Sequence, residues 1–221
     1  MSARLDGKVV LITGAASSIG AATVDLVRER GGTAVATDKA AGTDYLLDVT
    51  EPDQWDKVIA SVVARYGRID GLVFNAGSGD AGSIVDLDVA EFRALTRMIV
   101  EGAFIGIQKV VAQMRVQNSP AQGAIVITSS IAGSVAFPGT AAYGAVNAAI
   151  SNMAKAIGVE LGRKGDFIRV NAVAPSPVRA PLLSGVIEAE DVAETIIFLL
   201  SDDASFMTAT INPIGSGWQL S

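Results

Sequence analysis

The feature that most constrains the fold is a regular alternation of short apolar runs with longer amphipathic stretches. Each apolar run has the length of a buried strand, and each amphipathic stretch can form a helix that crosses to the next strand. This alternation is typical of parallel strands joined by right-handed crossovers, with helices on both faces of the sheet. We therefore predict one α/β domain over residues 1–221, a Rossmann-like doubly wound parallel sheet of about seven strands.

The same pattern gives approximate element boundaries. It predicts strands at 9–12, 33–37, 45–47, 72–74, 124–128, 168–173 and 209–212. It predicts helices at 19–30, from 50 to about 66, and at 89–116, 143–161 and 189–200. Thr50 is the expected N-cap of the second of these helices, because Pro52 follows early and Asp53 supplies an acid at the third helical position.

The composition excludes several kinds of chemistry. The chain has no cysteine and no histidine, which rules out disulfides, thiolate nucleophiles, Cys/His zinc sites and Ser-His-Asp triads. We expect no metal site, and without His or Cys any proton transfer must use Tyr, Ser, Lys, Asp, Glu or a bound water. With 17 Lys and Arg against 23 Asp and Glu, the net charge is −6, and we expect no nucleic-acid partner.

The distribution of apolar residues indicates where the protein works. No run of 18 apolar residues occurs, so no membrane span is expected. Near the N-terminus, the apolar run from Val9 to Ile12 is too short for the core of a signal peptide. These observations predict a cytoplasmic protein that does not associate with membranes.

A glycine-containing loop follows the first predicted strand and opens the first helix, spanning Thr13 to Gly20 with the sequence TGAASSIG. Gly14 permits a tight turn, Gly20 permits close packing of the helix on the sheet, and free N–H groups at the helix start can bind a pyrophosphate. The candidate cofactor-binding residues here are Gly14, Ser17, Ser18, Ile19 and Gly20. The alternative is a glycine-rich turn in an α/β protein that binds no nucleotide.

An acidic residue ends the second predicted strand at the position that suits a dinucleotide. Asp38 lies 18 residues after Gly20, near the spacing at which an acid accepts a hydrogen bond from the ribose 2′-hydroxyl of NAD. The same carboxylate repels the 2′-phosphate of NADP. We therefore expect NAD(H) as the cofactor in preference to NADP(H).

Further motifs along almost the whole chain resemble the short-chain dehydrogenase/reductase family. They are the phosphate loop, the Leu47–Val49 segment, the turn Phe74–Gly77, the segment 127–133, the strand and turn 170–175, and the run 199–205. Within this set, Tyr143 follows Ser130 by 13 residues, as in the family. The resemblance implies that Asp48, Val49, Asn75, Ala76, Gly77 and Pro175 contribute to the cofactor site. It also implies that Ser130 binds the substrate oxygen and that Tyr143 transfers the proton.

The chain departs from the family at several of these positions. The active-site Lys of the family corresponds to Asn147 and the active-site Asn to Ile99, while Ser18 and Ser176 replace glycines. Ala180 stands at the position of the Thr that holds the carboxamide, and Ala209 replaces another usual glycine. The substrate lobe, at about 176–190, is shortened, because only 181–188 separates the turn from the next helix.

The loss of the Lys bears most directly on catalysis, which makes Asn147 the third candidate catalytic residue beside Ser130 and Tyr143. Residues i and i+4 share one helix face, so position 147 lies beside Tyr143. A free tyrosine titrates near 10, and half-ionising one at pH 7 costs about 4 kcal/mol, which a neutral amide cannot supply. We expect alcohol oxidation, which needs Tyr143 as a base, to suffer more than carbonyl reduction. Lys155 is no substitute, since it lies about 12 Å further along the helix.

Three functions remain open on these residues. The first is an NAD(H)-linked oxidoreductase of small carbonyls or alcohols with weak or altered activity. The second is a non-redox enzyme, such as a lyase, isomerase or cyclase, that uses Ser130 and Tyr143 as hydrogen-bond donors. The third is a non-catalytic homologue that binds a nucleotide or a partner subunit. A cofactor site that is weakened or empty belongs to this third possibility.

The resemblance also implies assembly into a homodimer or homotetramer through the long central helix and the Tyr-bearing helix. Apolar residues of the type needed lie on both helices: Phe104, Ile105, Ile107, Val110, Val111, Ala148, Ala149 and Met153. The alternative for part of this set is an ordinary buried stripe that covers the sheet.

Overall fold

A seven-stranded parallel sheet forms the framework of the computed structural model, which describes residues 3–77, 82–118, 121–177 and 187–215. The strands are β1 (Val9–Thr13), β2 (Thr33–Asp38), β3 (Tyr45–Leu46), β4 (Gly71–Phe74), β5 (Gln122–Thr128), β6 (Phe167–Pro175) and β7 (Ile211–Ile214). They lie in the order β3-β2-β1-β4-β5-β6-β7, and all six neighbouring pairs are parallel. The predicted fold class is confirmed.

In the described ranges, six α-helices connect the strands. They are α1 (Ser18–Glu29), α2 (Pro52–Tyr66), α3 (Val89–Thr96), α4 (Gly102–Gln117), α5 (Ala141–Arg163) and α6 (Ala189–Leu200). The single helix predicted over 89–116 is instead α3 and α4, joined by a π-helical turn at Arg97–Glu101. No helix in the described ranges is long and apolar enough to cross a membrane.

The prediction of Thr50 as an N-cap was wrong. Glu51 is the N-cap of α2, with Pro52 at the start of the helix. Proline fits the first helical position, where its missing N–H is not needed, so the residue directly before it becomes the cap. The hydroxyl of Thr50 instead donates to Asp48 Oδ1 at 2.8 Å.

The helices bury two apolar clusters, one on each face of the sheet. One cluster joins the sheet to α2, α4 and α5 and includes Trp55, Phe74 and Met114. The other joins the sheet to α1 and α6 and includes Val27 and Ile196. Because both faces are covered, the buried parts of the strands are largely apolar, as in Val9–Ile12 of β1.

The strand order reverses between β1 and β4. The chain runs outward from β1 to β2 and β3, then returns to place β4 on the other side of β1. Such a reversal opens a crevice at the carboxyl ends of the two strands, where open α/β sheets bind their ligands. The loops that follow β1, β4, β5 and β6 meet at this edge.

Candidate active site

The loop after β1 is held in place by hydrogen bonds across the crevice. Ser17 caps α1, since its Oγ accepts from the N–H of Gly20 at 3.2 Å and donates to the carbonyl of Gly14 at 2.7 Å. From the loop after β4, Asn75 Nδ2 donates to Gly14 O at 3.2 Å and to Ser17 Oγ at 3.0 Å. The two loops therefore form one rigid floor.

Both glycines of this loop are required by its geometry. Gly14 has φ +64°, and a Cβ there would lie 2.8 Å from the carbonyl oxygen of Asn75. A Cβ on Gly20 would lie 2.1 Å from the carbonyl oxygen of Gly14. A larger residue at position 14 would collide with the turn after β4, and one at position 20 would collide with the loop backbone at residues 14 and 15.

The N-terminus of α1 offers hydrogen-bond donors to the crevice. The N–H groups of Ser18 and Ile19 have no acceptor among the described residues, and both residues line a cavity. The side chain of Ser18 is exposed and lines the same cavity. Two free N–H groups at the positive end of a twelve-residue helix suit an anion such as a pyrophosphate.

Two carboxylates lie further along the same edge. Asp38, at the end of β2, accepts from the N–H of Ala16 at 3.1 Å and from the N–H of Ala40 at 2.9 Å. Asp48 accepts from both the backbone N–H and the hydroxyl of Thr50. These bonds, the backbone one first, hold the pKa of Asp48 below its ordinary value.

Asp38 and Asp48 line a cavity of about 850 Å³, which we call the acidic cavity because Asp38, Asp48, Asp86 and Glu91 line it together with one cation, Lys39. Val49 and the turn Asn75–Gly77 complete its inner wall. Its size and position suit the adenosine half of a dinucleotide, with Asp38 placed to meet a ribose hydroxyl. The sequence analysis did not identify Asp86 and Glu91 as site residues. Asp86 precedes α3, Glu91 lies in its first turn, and neither belongs to a recognisable motif.

Ser130, Tyr143 and Asn147 lie together on a second cavity of about 700 Å³. We call it the hydroxyl cavity, because its polar groups are mainly the hydroxyls of Ser17, Ser18, Thr128, Ser130, Tyr143 and Ser176. It shares Ser17 and the turn Asn75–Gly77 with the acidic cavity, so the two form one trough. The structure thus brings the three candidate catalytic residues next to the candidate cofactor residues.

Close contacts hold the Tyr-bearing helix α5 against the end of β5. The hydroxyl of Ser129 donates to the carbonyl of Asn147 at 3.1 Å and lies 2.7 Å from Ser151 Oγ. A Cβ on Gly133 would lie 2.8 Å from the backbone of Asn147 and Ala148. This packing fixes the height of Tyr143 above the strand ends.

The side chain of Asn147 has a defined orientation. Its Nδ2 donates to the carbonyl of Tyr143 at 2.9 Å, and the residue is 2% exposed. A backbone carbonyl requires a donor, so the amide nitrogen must face it and the amide oxygen is left without a donor from the described residues. Position 147 therefore offers the cavity a neutral acceptor and no positive charge beside Tyr143.

Three more residues of the hydroxyl cavity complete its inner surface. Ile99, in the π-helical turn, is 3% exposed and packs about 3.7 Å from the Cβ position of Gly77. The Oγ1 of Thr128 and the Oγ of Ser176 are buried and have no hydrogen-bond partner in the described structure. Thr128 could not be identified from the sequence, because a threonine in a strand most often has a structural role.

Part of the predicted site lies outside the described residues. Of the shortened lobe at about 176–190, the structure describes 176–177 and 187–190. Pro175 ends β6, and Ser176 follows it with 3% exposure, its N–H donating to Ile214 O at 2.7 Å. Ala180 and the segment 181–186 are among the residues not described.

Comparison with known proteins agrees with this arrangement. The family model for short chain dehydrogenases matches residues 8–191. The chain is 36% identical to the 3-oxoacyl-(acyl-carrier-protein) reductase FabG of Thermotoga maritima, over 97% of this chain and 98% of that protein. It is 32% identical to the trans-4-hydroxycyclohexanecarboxylate dehydrogenase of Sinomonas cyclohexanicum, over 98% of this chain and 95% of that protein.

Solved structures give the same result. The crystal structure of levodione reductase superimposes with a TM-score of 0.89 at 27% identity, covering 99% of this chain and all of that one. The alignment with FabG spans 247 positions against 221 residues here, so that relative has segments that this chain lacks. On the fold, the crevice and these likenesses together, the chain belongs to the short-chain dehydrogenase/reductase family.

Proposed function

We propose that the protein is an NAD(H)-linked oxidoreductase that reduces a small carbonyl compound, or weakly oxidises the corresponding alcohol. The observation that carries this proposal is the continuous trough in which Ser130 and Tyr143 adjoin the free N–H groups of α1. When bound, the dinucleotide supplies or accepts a hydride at its nicotinamide ring. The residues that would hold it are Ser18, Ile19, Asp38, Asp48, Val49, the turn 75–77 and Pro175.

The chain's own residues would bind the substrate and move the proton. The hydroxyls of Ser130 and Tyr143 donate to the carbonyl oxygen, and Tyr143 gives up its proton as the alcohol forms. Because Asn147 is neutral, position 147 supplies no cation to favour the tyrosinate, so the site supports reduction better than oxidation. The buried side chain of Ile99 excludes water beside the turn at Gly77.

Asp38 supports NAD(H) as the cofactor in preference to NADP(H). Its carboxylate lies at the end of β2 with both oxygens anchored by backbone N–H groups, so it cannot turn away easily from a 2′-phosphate. Lys39, in the same cavity, offsets part of the repulsion. The proposed setting is a cytoplasmic homo-oligomer with a small-molecule substrate.

A non-redox enzyme is the second candidate, and the orientation of Asn147 favours it. A pair of hydroxyl donors with no cation can stabilise an oxyanion without any hydride transfer. A homologue that binds nucleotide without turnover is the third.

The test is NADH oxidation with a panel of small ketones, comparing wild type with Tyr143→Phe. We expect the wild type to reduce at least one ketone and the variant to lose about 100-fold or more in kcat/KM. Tyr66→Phe, on α2 and remote from the trough, is the matched control and should keep full activity. Tight NADH binding without reduction of any ketone would refute the redox proposal and favour the other two.

A further inference from the structure

The hydroxyl cavity has an uncharged lining. Among the described residues that line it, none is Lys, Arg, Asp or Glu, and its polar side chains are hydroxyls and the amides of Asn75 and Asn147. The free N–H groups of Ser18 and Ile19 also line it, and the pyrophosphate of bound NADH would occupy them. The rest of its wall is apolar and includes Ile99, Ile131 and Phe137. A ligand that enters this cavity loses its contacts with water and gains contacts with hydroxyl groups and apolar side chains.

Three cations on elements that border the trough lie away from the hydroxyl cavity. Arg97, next to the π-helical turn, pairs with Glu51 at 2.9 Å. Arg169 donates to the carbonyls of Leu199 and Ser201. Lys39 lies in the acidic cavity, where four carboxylates outnumber it.

We propose that the substrate is an uncharged ketone with an apolar body, and that the site discriminates against a carboxylate of the same size. This inference rests on the proposed function and names its substrate class. Taking a carboxylate out of water without a compensating cation costs more than hydroxyl donors return. A ketone needs only the two donors that Ser130 and Tyr143 provide, and the four acids next door repel an anion as it approaches.

Three ligands of similar size separate charge from polarity. They are 4-methylcyclohexanone, 4-oxocyclohexanecarboxamide and 4-oxocyclohexanecarboxylate, each titrated at pH 7.5 into the full chain with NADH by ligand-observed NMR. We expect the methyl ketone to bind about tenfold or more tightly than the carboxylate, with the amide between them. Equal or tighter binding of the carboxylate, or no binding of any of the three, would overturn the inference.

Two variants sharpen the result. Phe137→Arg adds a cation to the cavity wall and removes apolar surface from it, so it should raise the affinity of the carboxylate and lower that of the methyl ketone. Arg179→Met removes the one basic residue that lies outside the described ranges. This variant should leave the order of the three ligand affinities unchanged. If the carboxylate binds well in the wild type and Arg179→Met abolishes this, the inference is wrong.

Turnover is recorded separately by NADH absorbance, so that the two proposals can fail independently. Preferred binding of the methyl ketone without its reduction would refute the redox function but uphold the neutral, apolar site. Reduction of the carboxylate in preference to the ketone would uphold the redox function and refute the substrate class.

Discussion

Replacing Asn147 by lysine restores a positive charge beside Tyr143, and it tests whether that missing charge limits oxidation. The two residues lie one turn apart on α5, and Asn147 Nδ2 already touches the carbonyl of Tyr143 at 2.9 Å. A lysine side chain from this position can extend into the cavity of about 700 Å³ that the two residues share. We expect a gain in alcohol oxidation, with a smaller effect on ketone reduction.

The size of the gain follows from electrostatics. An opposite charge within about 4–6 Å favours the ionised form of a titrating group by about 1–3 pKa units, which raises the tyrosinate fraction below its pKa by about 10- to 1000-fold. The variant loses the hydrogen bond of the Asn147 amide, worth about 1 kcal/mol. We therefore expect oxidation to rise at least tenfold at pH 7 and the melting temperature to fall by a few degrees.

The assay is steady-state NADH formation from simple alcohols between pH 6 and pH 10, with the melting temperature of each variant as the folding control. Because Ile99 occupies the position of the family's Asn, Asn147→Lys with Ile99→Asn should exceed the single change. Lys155→Asn removes a lysine from an exposed part of the same helix and should change nothing. A folded double variant that binds NAD⁺ without any gain would refute the reasoning.

Three further predictions concern stability and assembly. Ala209 has φ +59°, so Ala209→Gly should stabilise the fold by about 0.5–1 kcal/mol in thermal unfolding. Ala60→Gly, at an exposed position of α2, should instead destabilise it by about 1 kcal/mol. A loss of stability in Ala209→Gly would contradict the strained backbone. Arg169 donates to two carbonyls at the end of α6, so Arg169→Met should lower the free energy of unfolding by about 2–4 kcal/mol, measured by calorimetry. Arg163→Met, at an exposed position, should lower it by less than about 0.5 kcal/mol. Light scattering should show at least a dimer at micromolar concentration, and Phe104→Glu should weaken it; a wild-type monomer would count against assembly through α4 and α5.

The exposure of α4 and α5 explains why assembly is hard to read from the sequence. Ile105, Ile107, Val110 and Val111 are buried within the chain itself, where they cover the sheet. Phe104 is 53% exposed, and Ala148 and Ala149 are exposed as well. The apolar stripe seen in the sequence therefore has two parts, and a helical period alone cannot separate the residues that face the sheet from those free to face a partner.

The sequence predicted the sheet well because the strands of a parallel sheet covered on both faces are largely apolar. The short apolar runs Val9–Ile12 and Ala124–Thr128 are typical of such strands. The prediction failed where local geometry depends on one residue. The π-helical turn at Arg97–Glu101 has no distinctive composition. The left-handed backbone at Ala209 does not follow from alanine itself, which rarely adopts it.

For the candidate site, motif spacing identified residues that the structure brings to one trough, but it did not identify their hydrogen bonds. That the amide nitrogen of Asn147 is taken by the carbonyl of Tyr143 depends on a side-chain torsion. The unpartnered hydroxyls of Thr128 and Ser176 are unusual only because their surroundings are buried. Burial and orientation are properties of the packed chain, so a sequence pattern carries neither.

Calorimetric titration of the wild-type protein with NADH and with NADPH tests the central claim, that this trough is an NAD(H) site, most directly. The free N–H groups of Ser18 and Ile19 would bind the pyrophosphate of either nucleotide. Asp38 would repel the 2′-phosphate of NADPH, so we expect NADH to bind about tenfold or more tightly than NADPH, a difference of about 1.4 kcal/mol. Asp38→Ala should reduce this preference. Equal or tighter binding of NADPH would contradict the role given to Asp38, and no heat with either nucleotide would contradict the account of the trough as a cofactor site.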